Sequence, residues 1–288
     1  MLSGKAAVIG AGLMGRGIAG VLAAGGLDVV LCDIQPEVLA TVDERISVST
    51  DLPAAVRDAG LVVEAVTENL AVKQDVIARV SAAAPGAVIA TNTSVLPITS
   101  IAERAADPGL VIGTHWWNPP DLIPVVEVIP GALTKDGVTA DMMAFLGRLG
   151  KTPVRVSRDV PGFIGNRLQH ALWREAIALV ADGICDADTV DLVVRNTIGL
   201  RLARMGPLEN ADYVGLDLTL AIHDAVLPSL NADNGPSPLL RTLVQRGDLG
   251  AKTGQGFGTW PPGRRETAAR ELAAHVRAQT APREENHA

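Results

Sequence analysis

Apolar positions in the first half of the chain follow two alternating periods. A short run, Lys5-Ala6-Ala7-Val8-Ile9, gives way to apolar residues at helical spacing through Ile18, Val21 and Leu22, until Gly25-Gly26 interrupts them. The alternation then repeats. Strands are expected at Asp28 to Asp33, Ile46 to Val48, Leu61 to Val66 and Ala87 to Thr91, and helices at Pro36 to Glu44, around Leu52 to Asp58, and at Leu70 to Ala83. Two more apolar runs, Leu110 to Ile112 and Val125 to Ile129, precede a helix at Asp136 to Leu149 and a strand at Pro153 to Val156. Strands alternating with helices predict an α/β fold. Its sheet is doubly wound and mostly parallel, with ligands outside the carboxyl ends of the strands.

Beyond Pro161-Gly162 the pattern turns helical: Phe163 to Asp182, Asp186 to Thr197, Val214 to Leu227 and Leu239 to Val244. Lys252 to Gly258 is too glycine-rich for a helix and reads as an ordered loop, and Ala269, Leu272, Ala273 and Val276 mark a last amphipathic helix before a polar end. Two domains are expected, 1–160 built on the sheet and 161–288 all helical.

The polar residues that break the pattern cluster at strand ends. Gly10-Ala11-Gly12-Leu13-Met14-Gly15 follows the first strand and opens a helix, the context in which such glycines admit a pyrophosphate. A glycine turn that merely joins strand to helix is the bland alternative. Asp33, ending the second strand, favours the dinucleotide, because a ribose hydroxyl needs an acceptor there. No arginine follows Asp33, so NAD is favoured over NADP. Glu68, Ser94 and His115 also fall at or just past strand ends. Glu127 interrupts an apolar strand, where a carboxylate costs several kcal/mol unless it is paired or hydrogen-bonded. His115 is the histidine placed to pair with it, and histidine is the side chain that titrates near neutrality, as oxidation of an alcohol by NAD requires of its base. His170, His223, His275 and His287 are read as structural. So is Glu64. Trp116-Trp117 is read as packing around the site, with an aromatic wall against the substrate as the alternative. Arg201 and Arg204 are read as solvated, with a substrate carboxylate or phosphate as the alternative partner.

A net charge of −7 argues against nucleic acid or an anionic membrane as partner, and no apolar run is long enough to span a bilayer. Cys32 and Cys185 form neither a disulfide framework nor a metal-spacing motif, and no metal site is expected. The first residues lead directly into a strand with no signal peptide, so a cytoplasmic protein is expected.

Taken together, G-A-G-L-M-G, E-N-L-A-V-K, N-T-S, H-W-W-N-P, V-V-E-V, P-G-F-I-G-N-R and K-T-G-Q-G-F resemble, in this order, the motifs of NAD-dependent L-3-hydroxyacyl-CoA dehydrogenases, from Lys5 to Trp260. The resemblance implies a Rossmann-like domain followed by an all-α domain that forms a homodimer. It implies interconversion of a 3-hydroxyacyl thioester and its 3-oxo form, as in fatty acid metabolism. His115 would be the general acid/base and Glu127 the residue that holds its imidazole. Ser94 would bond the reacting oxygen, and Asn166 would hold the acyl carbonyl. Glu68 and Lys73 would contact the nicotinamide-side ribose, with Asn118 and Lys252 completing the cradle. Two of the five lysines, Lys73 and Lys252, fall at these positions.

The chain also departs from the family. Acyl-CoA members carry a long helical hairpin between the second and third strands, whereas Asp33 to Ile46 has room for one short helix. The usual Ser-Ser pair is Ser94-Val95. The W-x-N-P-P wording resembles branches acting on gulonate, carnitine or a pyridine carboxylate, so a free hydroxy acid is the alternative substrate. A non-catalytic NAD-binding protein, as in a lens crystallin of the family, is a third reading. The 6-phosphogluconate-type dehydrogenases share the glycine turn, but this chain has no candidate for their helix-borne lysine.

Overall fold

The computed structural model describes residue 2 and residues 4–280; His287 and the polar end from residue 281 lie outside them. The chain divides into two compact units, Met1–Arg167 and Leu168–Ala288.

The first unit is built on eight strands: β1 (Lys5–Ile9), β2 (Asp28–Cys32), β3 (Ser47–Ser49), β4 (Leu61–Glu64), β5 (Val88–Thr91), β6 (Val111–Trp116), β7 (Val125–Pro130) and β8 (Thr152–Arg155). They form one sheet in the order β3-β2-β1-β4-β5-β6-β7-β8. Every pairing is parallel except β6 with β7, so β7 and β8 run opposite to the other six strands and the sheet is mostly parallel, as expected. Strand order reverses between β1 and β4, the crevice where such sheets take their ligands.

The helices are α1 (Leu13–Ala24), α2 (Pro36–Leu39), α3 (Leu52–Val56), α4 (Leu70–Ala83), α5 (Ile98–Ala102) and α6 (Asp136–Arg148). Alternate strand residues feed two cores, because side chains on a strand point to opposite faces. Ala6, Val8, Leu31, Val126 and Val128 pack with Ile18 and Leu22 of α1 and Met142 and Phe145 of α6. Ala7, Ile9, Val62 and Ile129 pack with Ala55 of α3, Ile77 of α4 and Ile98 of α5.

The helix expected over Pro36 to Glu44 ends at Leu39. Asp43 turns the chain there, accepting from the backbone and guanidinium of Arg45, and an aspartate offering such local bonds competes with helix. The expected strand beyond it is Ser47–Ser49. No long hairpin separates β2 from β3.

The helix α7 (Gly165–Ala181) carries the chain out of the first unit. The second unit adds α8 (Ala187–Asn196), α9 (Ile198–Leu202), α10 (Pro207–Val214), α11 (Leu216–Val226), α12 (Pro238–Arg246) and α13 (Arg264–Thr280). Between α12 and α13, two isolated bridges, Gly250↔Gln255 and Gln255↔Thr259, hold the glycine-rich loop. The helices α8 to α12 contain no buried residue, although they are rich in Leu, Ile and Val. Leu208 is 81% and Tyr213 78% exposed. No helix among the described residues is long and apolar enough to cross a membrane.

Candidate active site

The glycine turn between β1 and α1 is shaped by backbone contact. Gly10 has φ +101°, and a Cβ there would lie 2.6 Å from the Ala65 carbonyl oxygen. A Cβ on Gly15 would lie 1.8 Å from the Gly10 carbonyl oxygen. Gly12 differs: a Cβ there would meet nothing within 4 Å. Gly12 is also the N-cap of α1, and no side chain caps that end. An uncapped helix N-terminus facing open space leaves N–H donors for an anion.

The carboxylate of Asp33 stands beside this turn. It accepts from the Ala11 N–H at 2.7 Å and from the Gln35 N–H at 3.0 Å, so the acid at the end of β2 is fixed against the glycine loop. The residues therefore fit the dinucleotide expected at Gly10 to Gly15 and Asp33.

At the other side of the switch point, His115 and Glu127 face each other across the antiparallel pair β6·β7 as register partners. Residues directly opposite in such a pair present their side chains on the same face. His115 Nδ1 lies 2.7 Å from Glu127 Oε2, and both side chains are buried. The other carboxylate oxygen, Oε1, accepts from the backbone N–H groups of Ile164 (2.9 Å) and Gly165 (3.1 Å), at the start of α7. Burial pushes the Glu127 carboxyl up, but the His115 bond and the two backbone donors outweigh it and hold the group below the usual range. The anion stays charged and fixes His115 through Nδ1. His115 Nε2 makes no hydrogen bond among the described residues.

The imidazole is walled by Trp117, with ring centroids 4.9 Å apart, and by Phe163 at 5.8 Å. Trp117 also packs over Gly165, where a Cβ would come within 2.2 Å of its ring. The paired tryptophans part company because neighbours on a strand face opposite ways. Trp116 enters the core beside α1 and α6, while Trp117 lines the site. The aromatic-wall alternative therefore applies to Trp117 alone.

The turn after β5 supplies Ser94. Its backbone N–H donates to Glu68 Oε1 at 3.0 Å, as does Val95 N–H at 3.1 Å, and Thr93 Oγ1 joins them at 2.5 Å. Burial raises the Glu68 carboxyl, but these donors and the nearby Lys73 ammonium bring it below its ordinary range. The Ser94 carbonyl accepts from Asn166 Nδ2 at 2.9 Å, so α7's first turn ties the Ser94 turn as well as Glu127. One amide proton of Asn166, expected on an acyl carbonyl, is thus committed to Ser94; its other polar capacity remains.

One expected cofactor contact, Lys73, is enclosed. Lys73 has no exposed side-chain surface: its ammonium bonds both Glu64 oxygens, at 2.9 and 3.2 Å, and the Val66 carbonyl. A cation so enclosed reaches a ribose only through Glu68, 3.5 Å away. Lys252 belongs to the second unit, in the loop after α12, and is exposed. Asn118 is exposed just past β6. Glu64, accepting four hydrogen bonds from Lys73, Thr91 and Val66, is the hydrogen-bonded structural acid expected of it. The clamp on Glu127 is what sequence reasoning missed; the only trace is the Pro161-Gly162 break before an apolar helix.

A glycine turn and terminal acid at the switch point, with a histidine–carboxylate pair opposite, define an NAD-dependent oxidoreductase. The family models agree. That for the 3-hydroxyacyl-CoA dehydrogenase NAD binding domain matches residues 5–47 and 39–160, and that for the C-terminal domain of the same enzymes matches residues 162–260. The chain belongs to the 3-hydroxyacyl-CoA dehydrogenase family. A probable 3-hydroxybutyryl-CoA dehydrogenase of Deinococcus radiodurans is 38% identical, over 88% of this chain and 99% of that protein. The 5-formyl-3-hydroxy-2-methylpyridine 4-carboxylate 5-dehydrogenase of Mesorhizobium japonicum is 33% identical, over 89% of this chain and 90% of that one. A crystal structure of an enzyme with that pyridine-carboxylate activity, described as an NAD-dependent dismutase, superposes with TM-score 0.91 at 30% identity, over 97% of this chain and 99% of the other. The N-terminal model matches in two segments that meet in the short β2–β3 connection.

Proposed function

We propose that the protein interconverts a 3-hydroxyacyl thioester and its 3-oxo form, with His115 as general acid/base. The observation that carries this reading is the 2.7 Å His115–Glu127 pair, with Nε2 unengaged and with Asn166, next to the Gly165 that bonds Glu127, tied to the Ser94 turn. In oxidation, Nε2 takes the proton of the substrate hydroxyl, and the imidazolium so formed faces the Glu127 carboxylate. NAD held at the glycine turn and Asp33 would supply the acceptor for the hydride of the carbinol carbon. Ser94 Oγ, which bonds no described residue, is free to hold the reacting oxygen. Asn166 has one amide proton left for an acyl carbonyl.

A free 3-hydroxy acid or similar small carboxylate is the second reading. It is favoured by the short β2–β3 connection and by the likeness to the pyridine-carboxylate dehydrogenase. NADH formation from 3-hydroxybutyryl-CoA and from free 3-hydroxybutyrate separates the two. A kcat/KM at least about a hundredfold higher for the thioester, some 2.7 kcal/mol of differential transition-state binding, supports the first. Equal or better turnover of the free acid overturns it. Tight NAD binding without NADH from a broad panel of hydroxy acids and thioesters would leave the non-catalytic reading.

We further propose a homodimer through the helical unit, supported by the apolar residues of α8 to α12 that one chain leaves exposed. A monomeric mass by light scattering at micromolar concentration would refute it. The unpaired cysteines suit a cytoplasmic location.

A further inference from the structure

Lys73 lies in the first turn of α4, where the helix dipole disfavours a cation, and it is fully enclosed there. Glu64, at the carboxyl end of β4, is enclosed with it and also accepts from Thr91 Oγ1 of the neighbouring β5 at 2.6 Å. The pair thus joins two strand ends to a helix start. A buried ion pair is a poor source of stability, so its contacts are read for a geometric task. Its one outlet is Glu68. That carboxylate presents one oxygen to the Lys73 ammonium and the other to the three donors of the Thr93–Val95 turn. We propose that the Glu64–Lys73 pair is a positioning device that fixes Glu68, and through it the turn carrying Ser94, rather than a direct contact to the cofactor.

The inference rests on NAD lying beside this turn, and the test contains one reading taken without NAD. Lys73→Met combined with Glu64→Gln removes the pair without orphaning a buried charge. NAD affinity is measured by calorimetry for this double variant, for Glu68→Gln, and for the triple variant. If the pair acts through Glu68, each of the first two weakens NAD about tenfold, and the triple variant is within about twofold of the weaker of them. Independent effects multiplying to about a hundredfold would overturn the proposal and give Lys73 a ligand contact of its own. So would a double variant with wild-type affinity. The second reading uses Thr91→Val, which loosens Glu64 while keeping both charges. In the NAD-free protein the backbone amide resonances of Ser94 and Val95 are expected to shift, while those of β1 and β2 stay in place. Unmoved Ser94 and Val95 amides contradict the positioning claim, whatever the protein binds.

Discussion

Glu127→Gln probes the proposed base most sharply, because the carboxylate has three donors to satisfy and an amide has one oxygen. If that oxygen stays with the Ile164 and Gly165 N–H groups, the new NH2 faces His115 Nδ1. Nδ1 must then accept, the ring proton moves to Nε2, and Nε2 ceases to be a base. If the amide turns the other way, its NH2 meets two backbone donors, and each unsatisfied buried group costs about 1–3 kcal/mol. In either case the imidazolium formed during oxidation loses its counter-charge, and a hydrogen bond to a charged group contributes about 1.5–3 kcal/mol. Together these give about 3–5 kcal/mol, or roughly 10²–10⁴-fold in kcat. A comparable loss follows Asp→Asn replacement in serine-protease triads, where the wrong tautomer is also produced. The assay is steady-state NADH formation on the substrate selected by the thioester comparison, with NAD affinity by calorimetry alongside. NAD affinity is expected within about twofold of wild type, since the dyad and the glycine turn are separate groups. A variant retaining kcat within about fivefold of wild type would refute the reasoning.

Three further outcomes follow from the same geometry. Gly12→Ala should leave the unfolding temperature nearly unchanged, because a Cβ there meets no protein atom within 4 Å, yet weaken NAD; Gly15→Ala, 1.8 Å from the Gly10 oxygen, should destabilise the fold itself. Equal effects of the two on stability would contradict the assignment of the open space to pyrophosphate. Asp33→Ala should weaken NAD about 10–100-fold and narrow its preference over NADP, read by titration with each nucleotide; an unchanged preference counts against Asp33. Glu127 and Glu68 are both held below their ordinary range, so their stabilisation is complete above an unfolded carboxyl pKa of about 4.3 and is lost as pH falls through the folded values. Urea midpoints should therefore be flat from about pH 7 to pH 5 and fall below about pH 4, less steeply in Glu127→Gln.

The sequence made the sheet and its ligand edge legible because each strand and helix of the first unit announces itself locally, by period and by glycine. The His115–Glu127 pair was legible for a different reason: a carboxylate inside Val125 to Ile129 needs a partner, and few residues offer one. What stayed hidden depends on long-range backbone placement. No periodicity tells that the Ile164 and Gly165 N–H groups close over Glu127, or that Glu64 draws Lys73 inward from an exposed-looking helix start. The short helices α5, α9 and α10 were missed because one or two turns are too few to establish a period. The early stop of α2 was missed because propensity alone does not register the bonds Asp43 makes to Arg45.

The claim that most of this depends on is that His115 removes the hydroxyl proton while the glycine turn separately holds NAD. His115→Ala tests it most directly, with single-turnover NADH formation and NAD affinity measured on the same preparation. NADH formation is expected to fall by at least about a thousandfold, with NAD affinity within about twofold of wild type. A variant that turns over within about tenfold of wild type, or that loses NAD as well, would contradict it.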